Sequence, residues 1–275
     1  MKRRAQPWLG TLVEITIADA LGDAELVSCF GDAFASVAEV HRLMSFHDPA
    51  SDVSRINQAE VGQSVEIHAH TCEVIRCALS MAAATRGIFD VSCAPKLVEW
   101  GYLPMLAGDL PEHVPGRCAL VLQDGNRIRK TRAAWIDLGG IAKGYAVDLA
   151  IASLQRSGIQ SACVNAGGDL RAFGDTAYAV AIRHPAYPNA LALQTQLRDQ
   201  ALATSGTYFS RKCIDDRECS ALVNGADGHA ITASFSASIR APTCMVADAL
   251  TKLVMASADP RHPLLEQFGA TALIM

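Results

Sequence analysis

The stretch Trp135-Ile136-Asp137-Leu138-Gly139-Gly140-Ile141-Ala142-Lys143-Gly144-Tyr145-Ala146-Val147-Asp148 constrains the fold more than any other part of the chain. Its apolar opening reads as the end of a strand, and the glycine pair then leads into an apolar helix from roughly Ile141 to Leu154. Glycines let a backbone turn tightly and come close to a ligand. The N-terminus of the helix leaves N–H groups unpaired, and these favour an anion. Lys143, in the first helical turn, adds a positive charge where a phosphate would sit. Asp137, before the glycines, can accept hydrogen bonds from a sugar or a base. The stretch therefore reads as a diphosphate-nucleotide site, with an ordinary strand-turn-helix built on a glycine turn as the competing reading. It carries neither the G-x-x-x-x-G-K-[ST] of a Walker loop nor the G-x-G-x-x-G of a dinucleotide fold.

Half of the 275 residues are hydrophobic, enough for one large domain or two small ones. The formal charge of −4, with no basic run after the first residues, argues against nucleic acid as a partner. No apolar run approaches the length of a membrane span. Met1-Lys2-Arg3-Arg4 resembles the start of a signal peptide, but Ala5-Gln6-Pro7-Trp8-Leu9-Gly10 supplies no apolar core and no cleavage site. As written, the chain is expected in the cytoplasm, with the periplasmic side left open if the true start lies upstream. The nine cysteines are an odd number without a C-x-x-C pair. They read as buried small hydrophobes in a reducing compartment.

Taken in order, Thr11–Ala18 alternates as a strand, and Asp23 is placed to cap a helix running to about Met44. A short helix over Val53–Asn57 and a helix from about Thr71 to Thr85 follow, with His68 and His70 as surface or capping residues. Asp90 sits in an apolar setting and needs a partner, a helix cap or a salt bridge. Residues 101–116 read as a surface loop. Ala119–Leu122 and Arg127–Lys130 form a hairpin around Asp124-Gly125-Asn126. Ala162–Asn165 is a strand that ends in a second glycine pair, Gly167-Gly168, beside Asp169. Further strands are expected at Tyr178–Arg183, Ala201–Tyr208, Ile231–Ile239 and Ala270–Ile274, with a helix from Ala241 to about Ala256. Strands and helices mix irregularly, which indicates an α+β fold with largely antiparallel sheet covered by helices.

These motifs resemble the FAD:protein FMN transferase family, the ApbE-type flavin transferases, along nearly the whole chain and in the family's order. The carriers are Leu9-Gly10-Thr11, Met44-Ser45 through Ser54-Arg55-Ile56-Asn57, Gly87-Ile88-Phe89-Asp90, the Asp137–Asp148 stretch, Asn165-Ala166-Gly167-Gly168-Asp169, Ala203-Thr204-Ser205-Gly206, and Ala241-Pro242-Thr243 with Ala247-Asp248-Ala249-Leu250. The resemblance implies an ApbE-like, T-fold-like architecture in one domain over residues 1–275. It implies that FAD is the substrate. Its FMN half passes to a Thr or Ser hydroxyl in a flavinylation-type motif of an acceptor protein, AMP leaves, and Mg2+ neutralises the diphosphate. Carried over by position, Leu9, His47, Ile88, Phe89, Asp90, Asp137, Lys143, Thr204, Ser205 and Leu222 would bind the flavin dinucleotide. Gly140 and Asp248 would hold the metal; this chain's own departure adds Thr251 as a candidate metal ligand and Lys252 beside Asp248 as a candidate catalytic residue.

The resemblance is broken in several places. Leu9 stands where the family usually has methionine, and His47 where it often has tyrosine. Ser220-Ala221-Leu222-Val223-Asn224-Gly225 replaces a family segment that carries a histidine at the position of Ala221 and an Asp-Pro pair at Asn224-Gly225. Nearby His229 is read as a surface residue. The family's metal-binding Asp is followed four residues later by Thr; here Asp248 is followed at that spacing by Lys252. Positions four apart share a helical face, so the two can pair. Either the Lys252 ammonium occupies or borders the metal position, or it swings to solvent and Thr251 or water completes the metal shell. Beside the transferase reading stand a non-catalytic flavin-binding protein and a slow FAD pyrophosphatase.

Overall fold

In the computed structural model, which describes residues 1–187 and 189–275, the chain forms an α+β fold around one antiparallel sheet. Its strands are Lys2–Trp8, Thr11–Ile17, Ala162–Ala166, Asp169–Phe173, Ala201–Gly206, Ser236–Ala241 and Thr271–Ile274, adjacent in the order in which the chain supplies them. Lys2–Trp8, which the sequence did not suggest as a strand, is an exposed edge. Its charges and its proline suit an edge and would not suit the middle of a sheet.

Helices cover one face. α1 (Asp23–Met44) buries Leu26, Phe30, Phe34, Val37 and Val40 at helical spacing. Its N-cap is Gly22, whose N–H donates to the Glu25 carboxylate, so Asp23 is the first helical residue rather than the cap. α2 (Asp52–Gln58) and α3 (Ala69–Ala84) follow, and the His68 imidazole accepts from the His70 N–H at the start of α3. α4 (Ala94–Glu99) precedes a long loop. α5 (Ala142–Arg156) and α6 (Cys244–Ser257) pack on each other and on the sheet, and short α7 (Leu264–Gln267) leads into the last strand.

Alternation along Ala201–Gly206 shows how the sheet divides two cores. Ala201 and Ala203 join the helical core, whereas Leu202 packs on the far face with Leu170, Ala172, Tyr178, Ile182 and Leu197. The hairpin of Tyr178–Arg183 and Leu191–Leu197 supplies part of that second core.

Three expectations need correction. Trp135–Leu138 joins no sheet. Instead the buried Asn57 side chain stands in for a neighbouring strand: its amide donates to the Ile136 carbonyl at 3.0 Å and its oxygen accepts from the Ile136 N–H at 2.7 Å. The strand expected over Ile231–Ile239 begins only at Ser236, because the Ala233 carbonyl is taken by Thr207 and Arg211 instead of a ladder. The strand from Ala201 ends at Gly206, where the Tyr208 ring folds back; a Cβ on Gly206 would lie 2.4 Å from that ring.

Among the described residues no helix is long and apolar enough to cross a membrane.

Candidate functional site

The glycine pair that opens α5 delivers Lys143 to the floor of a cleft of about 330 Å³. Asp137, Gly139 and Gly140 line it from the same segment. Ile88, Phe89 and Asp90 enter from the turn after α3, Ser205 from the sheet, Leu222 from the segment before the last long strand, and Lys252 from α6. Two stretches that the sequence left as loop and departure also reach it: Tyr102 and Leu103, and Ala221. Residues 101–116 are thus only partly a surface loop. The proline-rich composition concealed that Tyr102 is fixed by donating its hydroxyl to the Ser210 carbonyl, and that His113 is buried between the carbonyls of Ser92 and Gly225.

Several expected residues stand elsewhere, and Asp90, though it lines the cleft, is engaged in the fold. Thr204 was grouped with Ser205, but adjacent strand residues point to opposite faces. Thr204 bonds the Ser238 hydroxyl at 2.8 Å and faces a separate cleft on the far side of the sheet. Leu9 forms the tip of the first hairpin with a left-handed backbone, φ 55°. His47 is exposed and sits edge-on to Phe46, outside the lining. His229 is a surface residue beside Asp227. Asp90 caps the turn at Val91–Cys93, accepting from both the N–H and the hydroxyl of Ser92.

Beneath the cleft lies a quartet of charges. Asp248, 1 % exposed, is bracketed by two ammoniums: Lys252 pairs with Oδ1, and the Lys143 Nζ lies 3.7 Å from Oδ2. Lys143 also pairs with the buried Asp169 carboxylate. The Gly144 N–H donates to Asp248 Oδ2 at 3.3 Å. Burial by itself would raise the Asp248 carboxyl, but Lys143 and Lys252 outweigh it and hold the group below its ordinary range. Burial would lower the Lys143 ammonium; Asp169 and Asp248 overcome this and raise it well above its ordinary value. Asp169 moves up, through burial and the Asp248 charge. Asp137 is raised by burial, opposed by the Gly139 N–H and by the approach of His47.

The quartet depends on how α6 meets α5. Asp148, the last residue of the glycine-led stretch, accepts from the N–H groups of Cys244 and Met245, each at 2.9 Å, and so caps the start of α6. Gly144 lets the helices touch, since a Cβ there would lie 2.3 Å from the Cys244 carbonyl oxygen. Asp148 anchors α6 one turn before Asp248, across a separation of about a hundred residues that no local pattern reveals.

The groups expected to hold a metal do not form an open ligand set. Both Asp248 carboxylate oxygens are engaged. Thr251 is fully buried; its hydroxyl donates to the Asp248 carbonyl at 2.6 Å and lies 2.7 Å from the Ser205 hydroxyl. A Cβ on Gly140 would meet the Lys252 Cε at 3.2 Å, so the lysine stem lies between Gly140 and Asp248. Two unit charges 4 Å apart interact by about 4 kcal/mol at an effective dielectric of 20, so each nearby ammonium would oppose a divalent ion by about twice that and offset the attraction of one of the two carboxylates. Among the described residues, no three His, Cys, Asp or Glu side chains gather as a metal site.

The relatives agree with this fold. A family model described as the ApbE family matches residues 9–274. An FAD:protein FMN transferase of Vibrio cholerae is 27 % identical over 98 % of this chain and 85 % of its own length. One of Haemophilus influenzae is 28 % identical over 79 % of this chain and 69 % of its own. The crystal structure of the ApbE protein from Thermotoga maritima superposes with a TM-score of 0.84 at 25 % identity, covering 99 % of this chain and 93 % of the other. The flavinyl transferase ApbE of Pseudomonas stutzeri gives 0.82 at 24 % identity over 99 % and 90 % of the two chains, a likeness of fold. A match over almost the entire length, on a sheet and helix order shared with such structures, means that this chain belongs to the ApbE family.

Proposed function

We propose that this protein is an FAD:protein FMN transferase, moving the FMN half of FAD to a Thr or Ser hydroxyl of an acceptor protein. One observation carries the reading: two lysine ammoniums, Lys143 and Lys252, open into the same cleft as the apolar side chains of Ile88 and Leu222. That pairing suits a molecule with a flat apolar body and a diphosphate. We assign the isoalloxazine to the side lined by Ile88, Tyr102 and Leu222, and the diphosphate to the lysines, because the N–H groups of Gly139, Ile141, Ala142 and Gly144 that the sequence offered to an anion are already taken within the protein. Asp137, Asp90, Phe89 and Ser205 complete the binding surface, and His47 lies outside it. Thr204 and Leu9 lie outside this lining.

In the step itself, the acceptor oxygen forms a bond to the flavin-side phosphorus. The P–O bond to the adenylate breaks, AMP leaves with the bridging oxygen, and the hydroxyl proton passes to a base or to water. What the chain supplies is in-line positioning and neutralisation of charge on the phosphoryl oxygens. Lys143 and Lys252 supply that charge. Asp248, paired on both oxygens and held below its ordinary range, suits holding the lysines in place better than accepting a proton. We read residues 1–275 as a single domain, since the main sheet draws strands from both ends of the chain. The nine free cysteines fit an acceptor in a reducing compartment.

The test is a transfer assay with FAD and an acceptor carrying the expected Thr, read by intact mass and AMP release. A mass gain equal to FMN with stoichiometric AMP is the expected result. FMN release without acceptor would instead mark an FAD pyrophosphatase. A second reading, a non-catalytic flavin-binding protein, is favoured by Ala221, which lines the cleft with a methyl group where an imidazole would be expected; binding without transfer to any acceptor would establish it.

A further inference from the structure

We propose that Lys252, together with Lys143, takes the place of a divalent metal, so that this chain binds the FAD diphosphate through two ammoniums and without Mg2+. This rests on the flavin-dinucleotide reading of the cleft and goes beyond it, because it departs from the metal-dependent chemistry that the family resemblance implies.

Asp248 and Lys252 lie on one face of α6, and that face looks across the cleft floor at Gly140. Gly140 has no side chain, and the Lys252 stem lies close against it, its Cε 3.2 Å from where a Cβ would stand. The ammonium is held twice, by Asp248 Oδ1 and by the Asp248 carbonyl at 3.0 Å. A lysine ammonium has three donors, so one remains. Lys252 lines the cleft with its side chain only 12 % exposed, so that donor points at a ligand site and not into bulk water. Lys143 has the same character: it is tied to Asp169, it leans on Asp248, and it lines the same cleft. Two fixed cations with spare donors facing one cavity bind an anion by charge-assisted hydrogen bonds. The two carboxylates beneath them balance their charge while the cleft is empty.

Thr251 does not offset the change. It is fully buried, and its hydroxyl is bonded to Ser205 and to the Asp248 carbonyl. A metal would have to displace Lys252 from both of its partners and settle beside Lys143.

The experiment uses the whole chain in two arms. In the first, Mn2+ is added to the flavin-free protein and bound metal is read by loss of the free-ion EPR signal. Wild type should bind none, and Lys252→Thr, which restores a hydroxyl at that spacing, should bind one ion per chain. Stoichiometric Mn2+ binding by wild type that is lost in Asp248→Asn would overturn the proposal. In the second arm, FAD affinity is read by flavin fluorescence with EDTA or with excess MgCl2. Wild type should bind equally in both. Lys252→Thr in EDTA should bind more weakly by about tenfold or more, equivalent to about 1.4 kcal/mol, and recover with Mg2+. Lys252→Met should weaken similarly in EDTA and recover less. Wild-type binding that requires Mg2+ would overturn metal replacement while leaving the transferase reading intact. No FAD binding in either condition would overturn the flavin reading, and the Mn2+ arm would still decide whether the lysine excludes a metal. If Lys252→Thr fails to fold, the wild-type measurements in both arms decide alone.

Discussion

The two parts of the cleft lining are built in opposite ways. The charged part is over-determined: each carboxylate of the quartet has a lysine partner, one carboxylate takes a backbone N–H as well, and both helices that carry the lysines are packed on the sheet. The apolar part is a strap, Ala221 to Gly228, laid on the turn at residues 87–90. It is held by the Gly225 N–H to the Ile88 carbonyl at 3.0 Å and by the absence of a side chain on Gly225, where a Cβ would lie 2.4 Å from that of Asp90. The charged part is set between two core helices, whereas Ile88 and Leu222 of the apolar part are only partly buried against the core. Changes in the charged part should therefore damage stability and chemistry together, and changes in the apolar part should damage affinity alone.

The strongest test of that contrast is Asp248→Asn. The substitution leaves Lys252 and Lys143 without the carboxylate between them, in a site where Asp248 is 1 % exposed. Removing one partner of a buried pair costs about 3–5 kcal/mol. Misplacing the lysines by about 1 Å would lower transfer by about a hundredfold. Urea unfolding and the transfer assay should fall together. A variant that loses activity at full stability would show that the quartet is functional only and not a structural joint.

Gly144→Ala comes next, because its sign opposes local preference. Alanine is favoured over glycine inside a helix by about 1 kcal/mol. Here the added Cβ would lie 2.3 Å from the Cys244 carbonyl oxygen and 2.6 Å from its carbon, both rigid backbone atoms. Overpacking of that kind costs about 1–3 kcal/mol, so the unfolding midpoint should fall despite the better propensity. FAD affinity should fall with it, since parting α5 from α6 moves Lys143 away from Asp248. A rise in the midpoint would mean that the helices separate without loss.

The same contrast explains what the sequence reveals. The phosphate side is legible where it is local: Asp137, the glycine pair and Lys143 follow one another, and helical spacing alone suggests that Lys252 pairs with Asp248. The contacts that complete it are non-local. Asp148 capping α6, and Asn57 serving Ile136 in place of a strand, join positions far apart in the chain, and no periodicity encodes them. Thr204 and Ser205 show a different failure. A motif names neighbouring residues together, whereas the strand's period of two sends them to opposite faces. Tyr102 and Leu103 escape notice because proline-rich surroundings read as surface, although the Tyr102 ring lies under the Lys212 ammonium at 4.0 Å and is fixed there.

Leu222→Ala probes the strap. The side chain is partly buried against the core and lines the cleft. Each buried methylene is worth about 0.8 kcal/mol, so losing its contact with a flavin should weaken FAD by roughly tenfold. Fluorescence titration measures that loss, and the unfolding midpoint should barely move. A drop in stability comparable with that of Asp248→Asn would erase the distinction between the two parts.

The smallest effect is a pH dependence, and its sign follows from the direction of one shift. Asp248 in the folded protein lies below its ordinary value of 3.8, because Lys143 and Lys252 outweigh its burial. A carboxyl that is depressed by folding contributes stability above its unfolded value, and that contribution is lost as the pH falls through the folded one. The difference in urea midpoint between wild type and Asp248→Asn should therefore be constant near neutrality and begin to narrow only on the acid side of 3.8. Asp169 acts in the opposite direction. Its carboxyl is raised, so its ionisation weakens folding as the pH climbs from 3.8 towards the folded value. Because that contribution is common to wild type and the Asp248→Asn variant, it cancels to the extent that Asp169 is independent of Asp248. The Asp248 charge itself helps to raise Asp169, so removing it should lower Asp169 and open a second, shallower divergence just above 3.8. Two separate inflections in the difference curve would show that the Asp248 charge acts on Asp169; a single inflection would show two independent ion pairs.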